Sequence, residues 1–244
     1  MIFEALSVIV TATDEANDLK QTVEILLQHK EDLGEIVIVR PDWAAPECVE
    51  ATKELTERYP DLVRELIQSR PYVGGAIRDG FDDAKCSHLL FLPADLAISL
   101  DAVGPMIELE KQFPDGIVKT SRWKKGGGFV DYSKVRLAIN TVAQICLKIL
   151  YQTEIIDHTN PVQIIPAELY RSIRWHELNY PFLEELVLAP LRLRVKFREV
   201  PCVCYGRTEG ESKNSFLQTA LYLKTALRTR FVPKDRLLKP TAER

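Results

Sequence analysis

The sequence predicts an α/β fold with a mostly parallel sheet and helices on both of its faces. Three observations predict it. Apolar, β-branched runs without polar alternation recur through the first 120 residues, as in strands buried on both sides. Segments with apolar residues at three- and four-residue spacing stand between them. The connections are short, which suits strand–helix–strand units.

Taken in order, "ALSVIVTA" (5–12) is the first strand, and Leu19, Val23, Leu26 and Leu27 mark the helix after it. "EIVIV" (35–39) is the second, ended by Arg40-Pro41. Pro46 suits the first turn of a helix that runs to about Tyr59. "VRELI" (63–67) reads as a third strand, and Gly74-Gly75 leads into a helix to about Ala84. "HLLFL" (88–92) and "GIVKT" (116–120) are the fourth and fifth strands, with a helix from about Leu100 to Gln112 between them. Ligands of such sheets bind beyond the carboxyl ends of the strands, here the loops 11–15, 40–43, 69–74 and 93–97.

The second half changes character. "KKGGGF" (124–129) reads as a mobile glycine-rich connection, because its glycines do not lead from a strand into a helix as a phosphate loop does. A long helix over 133–151 carries Val135, Ile139, Val142, Cys146 and Ile149 along one face. Shorter helices are expected at 168–172 and 182–191, a strand in "VKFREVPCVCY" (195–205), and a last helix at 214–231. With no internal repeat, low-complexity tract or linker, residues 1–244 read as a single domain.

Composition limits the function classes. Apolar residues make up 46% and charged residues 27%, the balance of a globular protein. A net charge of −3 argues against a uniformly basic nucleic-acid binder, and no nucleic-acid partner is expected. The five cysteines show no metal-like clustering and read as reduced thiols in a cytoplasmic protein, with Cys202 and Cys204 on one side of a strand. The four histidines show no metal spacing. Met1 runs straight into strand-like sequence, and no apolar run is long enough to span a bilayer, so the expected location is cytoplasmic.

Read together, "SVIVTATDEANDL", "GGAIRDGF", "HLLFLPADL", "IVKTSRWKKGGG", "IIDHT", "FLEEL", "REVPC" and "GRTEGESKNS" resemble the family 2 glycosyltransferases of the GT-A fold, in particular the polyprenyl-phosphate mannose or glucose synthases. The run G-R-T-x-G-x-S-K-x-S is the most specific piece. The resemblance implies a Rossmann-like GT-A sheet, with a nucleotide-sugar half at 1–120, an acceptor half at 121–212 and a basic C-terminal helix and tail at 213–244. It implies a nucleotide-sugar donor held by Thr11, Glu15 and Arg78, and a weakly held Mg²⁺ or Mn²⁺. For Glu15 a second reading stays open, an acid at a helix N-terminus favoured by the macrodipole.

This sequence departs from the family pattern at the donor. Arg40-Pro41-Asp42-Trp43 stands where the family has Asp-Asp-Gly-Ser, Arg70 replaces an Asn, and Tyr72 replaces a Gly. The metal motif Asp-x-Asp is Pro93-Ala94-Asp95, which leaves Asp95 as a single metal-ligating carboxylate. A leaving diphosphate needs positive charge, ordinarily a divalent ion between two carboxylates. Arg40 and Arg70 are therefore expected to take over part of that charge, since a guanidinium clamps phosphate directly.

On the acceptor side the resemblance points to Arg122, Arg136, Asp157, Thr159, Glu185, Arg207, Ser212 and Lys213, with "GESK" as a lid that closes on phosphates. The plainer readings are a solvated helix face for Arg136, a turn or cap for Asp157 and helix-surface charge for Glu184 and Glu185. The reaction implied is attack on the anomeric carbon with inversion. A lipid phosphate acceptor is already ionised near neutrality and needs no base. A glycan hydroxyl does, from Glu185 first, then Glu184, with Asp157 behind. The alternative is a non-catalytic GT-A-fold binding or scaffold protein. Finally, residues 213–244 carry a net charge of +6, with Phe216, Ala220, Leu223, Leu227 and Phe231 in one stripe. That suits peripheral contact with an anionic membrane, or a helix that packs its stripe on the domain.

Overall fold

The computed structural model describes residues 1–205 and 216–240, with side chains from residue 220 onward in the second stretch. Arg207, Ser212 and Lys213, the "GESK" segment and the Phe216 side chain lie outside the described residues. The sheet grows outward from β1 (Leu6–Thr11), whose Leu-Ser-Val-Ile-Val is wholly buried. A strand covered on both faces needs apolar or hydrogen-bonded side chains at every position, and Ser7 satisfies this by donating to Glu35 at 2.6 Å. β2 (Leu33–Arg40) and β4 (His88–Pro93) flank β1 in parallel, and β3 (Val63–Ile67) extends the sheet beyond β2.

On the other side β4 meets β7 (Gln163–Pro166), which runs antiparallel to both β4 and β5 (Ile117–Ser121). β8 (Phe197–Pro201) closes that edge parallel to β5. The seven-stranded order is β3-β2-β1-β4-β7-β5-β8, mostly parallel as expected. Alternate strand residues feed two cores. Val8, Val10, Ile36, Ile38, Leu90 and Leu92 pack under α1 (Ala16–Leu26), α2 (Pro46–Arg58) and α4 (Val103–Gln112). Ile9, Val37, Val39, Leu89 and Phe91 pack under α3 (Tyr72–Asp83), α6 (Ala167–Ser172) and α7 (Pro181–Arg192).

The second half corrects several expectations. The glycine-rich stretch is built into structure: β6 (Gly128–Val130) pairs in parallel with β9 (Val203–Tyr205) as a small second sheet. Gly126 has φ +96°, and a Cβ on Gly127 would stand 2.6 Å from the Ser121 carbonyl oxygen, so these glycines serve backbone geometry rather than mobility. The single strand expected over 195–205 is two, because at Cys202 the chain leaves β8 and enters the small sheet. The long helix α5 (Lys134–Tyr151) is present, but Val135, Ile139, Val142, Cys146 and Ile149 face solvent, while Gln144 and Leu147 face inward. In α8 (Phe216–Phe231), Thr225, Ala226 and Thr229 are buried, and the stripe of Leu223, Leu227 and Phe231 faces out. The short α9 (Lys234–Leu237) ties the end back, where Arg174 N donates to Leu237 O at 2.8 Å.

Candidate active site

The loops after β1, β2 and β4 stack at one end of the sheet because their strands are in register. Thr11 stands opposite Pro93 on one side and Val39 on the other. Ala94 N donates to Thr11 O at 3.2 Å, and Ala45 N to Thr13 O at 2.8 Å. Asp95 follows in a tight turn: its Oδ1 accepts from Ala97 N at 3.1 Å, and Leu96 takes φ +49°. The small sheet walls this turn, with Tyr205 N donating to Ala97 O at 2.9 Å and Ser99 N to Val203 O at 2.8 Å. Glu15 sits at the start of α1, and its Oε2 accepts from Thr13 N at 2.8 Å and Asp14 N at 3.1 Å. Thr11, Glu15 and Asp95 are thus brought to adjoining loops.

The arginines expected to replace metal charge are already engaged by other groups. Arg40 pairs with Glu65 on β3 and donates to Pro41 O at 3.1 Å. Arg70 forks to Asp79 at 2.7 Å and Asp82 at 2.8 Å, both on α3. Arg78 donates to Glu177 O at 3.2 Å. Arg40 and Arg70 each have an acid beside them, so the donor loops do not gain the positive field that counting substitutions suggests.

Of the residues expected on the acceptor side, Arg122, Asp157 and Thr159 come together. Arg122, at the end of β5, grips Asp157 through Nε and Nη2 at 2.8 Å each, and its backbone N donates to the same carboxylate at 2.9 Å. Thr159 Oγ1 accepts from Arg122 Nη2 at 2.6 Å, and Gln144 of α5 donates to Asp157 at 3.1 Å and Thr159 at 2.9 Å. The buried ammonium of Lys119, depressed by desolvation, donates to Asp157 O beneath them. Burial alone would raise the Asp157 carboxyl, but the hydrogen bonds and charge of Arg122, with Lys119, hold it far below the usual carboxylate range. The same pairing lifts the Arg122 guanidinium above its ordinary value in spite of burial. With both oxygens filled by donors, Asp157 is held as an anchor for Arg122, an arrangement poorly suited to a general base.

Glu185 is likewise engaged. It is buried, accepts from His176 N at 3.0 Å and Glu177 N at 2.9 Å, and pairs with Arg228 of α8 at 2.7 Å. Burial raises its carboxyl, but these donors outweigh it and the net shift is downward. Neither it nor Glu184 is helix-surface charge. Glu184 is also buried, with Oε2 unpartnered, and desolvation with the nearby Glu177 charge pushes it up to about 8. Arg136 is exposed on the first turn of α5.

Two side chains were noted in the sequence only as departures. Trp43 is 71% exposed on the loop after β2, and Tyr72, the first residue of α3, is 61% exposed. Tyr72 holds φ +66°, a left-handed conformation costly for a bulky residue. The Gly that the resemblance places at this position is a residue that adopts such a conformation without cost. The two exposed rings, one on the loop after β2 and one at the start of α3, offer apolar faces to a flat ligand.

The donor set can be tested against a divalent ion. Asp95 is the one carboxylate of its motif, one of its oxygens already accepts the Ala97 amide, and among the described residues no three His, Cys, Asp or Glu side chains gather as a metal site. The side chains present therefore do not make a closed protein cage for Mg²⁺ or Mn²⁺.

A mostly parallel sheet with an Asp-bearing turn after the fourth strand is the arrangement of a GT-A glycosyltransferase. Residues 7–174 match glycosyl transferase family 2, and the chain belongs to that family. Among solved structures, glucosyl-3-phosphoglycerate synthase from Mycobacterium tuberculosis, in complex with Mn²⁺, uridine diphosphate and phosphoglyceric acid, superposes with a TM-score of 0.66 at 13% identity, over 94% of this chain and 79% of that one. The same enzyme with phosphoglyceric acid alone gives 0.67 at 14%, over 94% and 81%. A further mycobacterial protein gives 0.64 at 13%, over 95% and 76%. At such identity the likeness is one of fold.

Proposed function

We propose that this chain is an inverting hexosyltransferase that moves a sugar from a nucleotide-sugar to a phosphate acceptor, a polyprenyl phosphate. One observation carries the choice of acceptor: Asp157 and Glu185, the carboxylates suited to deprotonate a hydroxyl, are both filled by hydrogen-bond donors. A phosphate monoester, with its second pKa at about 6, arrives ionised and asks for no base. Its oxygen attacks the anomeric carbon, the bond from that carbon to the donor diphosphate breaks, and the nucleoside diphosphate leaves with the electron pair. The donor lies across the loops of Thr11, Glu15 and Asp95, with its base between Trp43 and Tyr72. Arg136, exposed on α5, and Arg207, Ser212 and Lys213 meet the acceptor phosphate. With Asp95 alone in place of a carboxylate pair, donor binding depends weakly on a divalent ion.

The test incubates the protein with a panel of nucleotide-sugars and a polyprenyl phosphate, and follows radiolabelled sugar into the organic phase. The expected product is an acid-labile lipid-phosphate sugar, with a rate that rises as the acceptor ionises around pH 6. Absence of thermal stabilisation by any nucleoside diphosphate overturns the reading. Glu184 supports a second one: its buried carboxyl, pushed up to about 8 and with an unpartnered oxygen, serves as general base for a glycan hydroxyl once ionised, above about pH 8. In that case Glu184→Gln abolishes transfer to glycans. Under the first reading it leaves transfer to lipid phosphate intact.

A further inference from the structure

α5 turns its apolar stripe away from the protein. Val135, Ile139, Val142, Ile145 and Ile149 are each 55–71% exposed, on a helix of 18 residues. Their spacing makes one continuous seam about 21 Å long. α8 is docked beside it, with Tyr151 Oη donating to Ala226 O at 2.8 Å and Arg230 Nε to Leu150 O at 2.7 Å. It adds the exposed Leu223, Leu227 and Phe231. A patch of this kind on an otherwise well-packed molecule marks a docking surface.

Charge identifies the occupant. α5 carries Lys134, Arg136 and Lys148, and α8 carries Lys224, Arg228 and Arg230, and neither helix contains an acid. Asp131 and Glu154 lie beyond the two ends of α5, and Arg228 is turned inward onto Glu177 and Glu185. A second copy docked on the same seam would set these cations against one another with no carboxylate in the helices to meet them. An anionic bilayer accepts both features: acyl chains take the seam, and lipid phosphates take the flanking ammonium and guanidinium groups. Among the described residues no helix is long and apolar enough to cross a membrane, so the contact is parallel to the surface. We propose that the outer face of α5, extended by Leu223, Leu227 and Phe231 of α8, is a peripheral docking surface for anionic membranes. The surface rests on residues that take no part in the transferase reading except Arg136. It differs from the contact expected of the basic tail, because its centre is α5.

Cys146 lies in the seam and is exposed, while Cys48, Cys202 and Cys204 are buried and Cys86 is half-buried, so a thiol dye reports from the seam itself. The full chain, labelled at Cys146, is mixed with phosphatidylcholine vesicles or with vesicles that also hold about 30% phosphatidylglycerol. The expected result is a blue shift and co-sedimentation with the anionic vesicles only, both weakened by salt. Cys146→Ser serves as the label control. Ile139→Glu and Val142→Glu, at exposed positions, should keep the circular dichroism spectrum and lower vesicle affinity about tenfold or more. Wild type that stays in solution with anionic vesicles overturns the proposal. So does vesicle affinity unchanged in both variants. A blue shift without lipid, rising with protein concentration and lost in Ile139→Glu, assigns the seam to a second copy instead.

Discussion

Asp157 shows how a carboxylate in a family motif becomes structural. It is buried, and its charge is matched by Arg122, itself 9% exposed. Asp157→Asn keeps the size but strands that guanidinium, which should cost about 3–5 kcal/mol in urea denaturation. Because its folded pKa lies below the unfolded one, its stabilising contribution is complete above about pH 4 and is lost as pH falls further. An Asn variant with wild-type stability but no turnover would make Asp157 a reacting group after all. Tyr72 gives an opposite pairing of effects. Relieving φ +66° by Tyr72→Gly should stabilise the fold by about 1 kcal/mol, yet weaken donor binding about five- to tenfold through the lost ring. Calorimetry and denaturation together check both signs, and a loss of stability would refute the strain. Residue roles were legible only as far as neighbours in sequence allowed. Arg122, Asp157 and Thr159 were picked out by motif and do meet. The neutralisation of Arg40 by Glu65, across two strands, depends on strand register that the sequence does not state.

Elements were more legible than their faces. The first five strands and the helices between them fall where apolar runs and periodicity put them, since burial on both sides leaves no polar interruptions. β7 was missed because four residues, Gln-Ile-Ile-Pro, carry too little pattern. The stripe on α5 was read correctly as a stripe, but periodicity cannot say whether a face meets core or solvent. α7 illustrates the same gap with charge, since its adjacent glutamates have opposite fates. Glu185 is donor-rich and depressed, and Glu184 is dry and pushed up to about 8. In α4, Glu110 is pushed up to about 9 by burial, only partly offset by the Val118 amide, and stands 3.5 Å from a His88 that burial keeps neutral. A carboxyl raised above its unfolded value of about 4.3 binds a proton in the fold that the open chain releases. Stability should therefore fall as pH rises from about 4.3 towards 8 for Glu184 and 9 for Glu110. Glu184→Gln, and separately Glu110→Gln, should flatten that fall and raise Tm at pH 9 by about 3–6 °C relative to wild type. Identical pH profiles for wild type and variants would show that these side chains are hydrated.

At the scale of the whole molecule, α5 joins the proposed membrane face to the proposed acceptor site. Its inner side places Gln144 on Asp157, Thr159 and His158 N, and Asn140 beside Thr159, while its outer side carries the apolar seam. Docking the seam on a bilayer would hold the Asp157–Thr159 network, and the acceptor site proposed beside it, within a helix diameter of the lipid surface, about 10 Å. A polyprenyl phosphate confined to that surface is then met at high local concentration rather than drawn out of the bilayer. Two rates separate this from simple adhesion. Transfer to a long-chain polyprenyl phosphate in anionic vesicles should exceed transfer in detergent by about tenfold or more, whereas transfer to a short, water-soluble prenyl phosphate should be indifferent to vesicles. Ile139→Glu should remove the first advantage and leave the second rate unchanged, because Ile139 faces away from the Asp157 network. If the variant loses both rates together, the helix is shaping the site from within and its outer face has no part in delivering the acceptor.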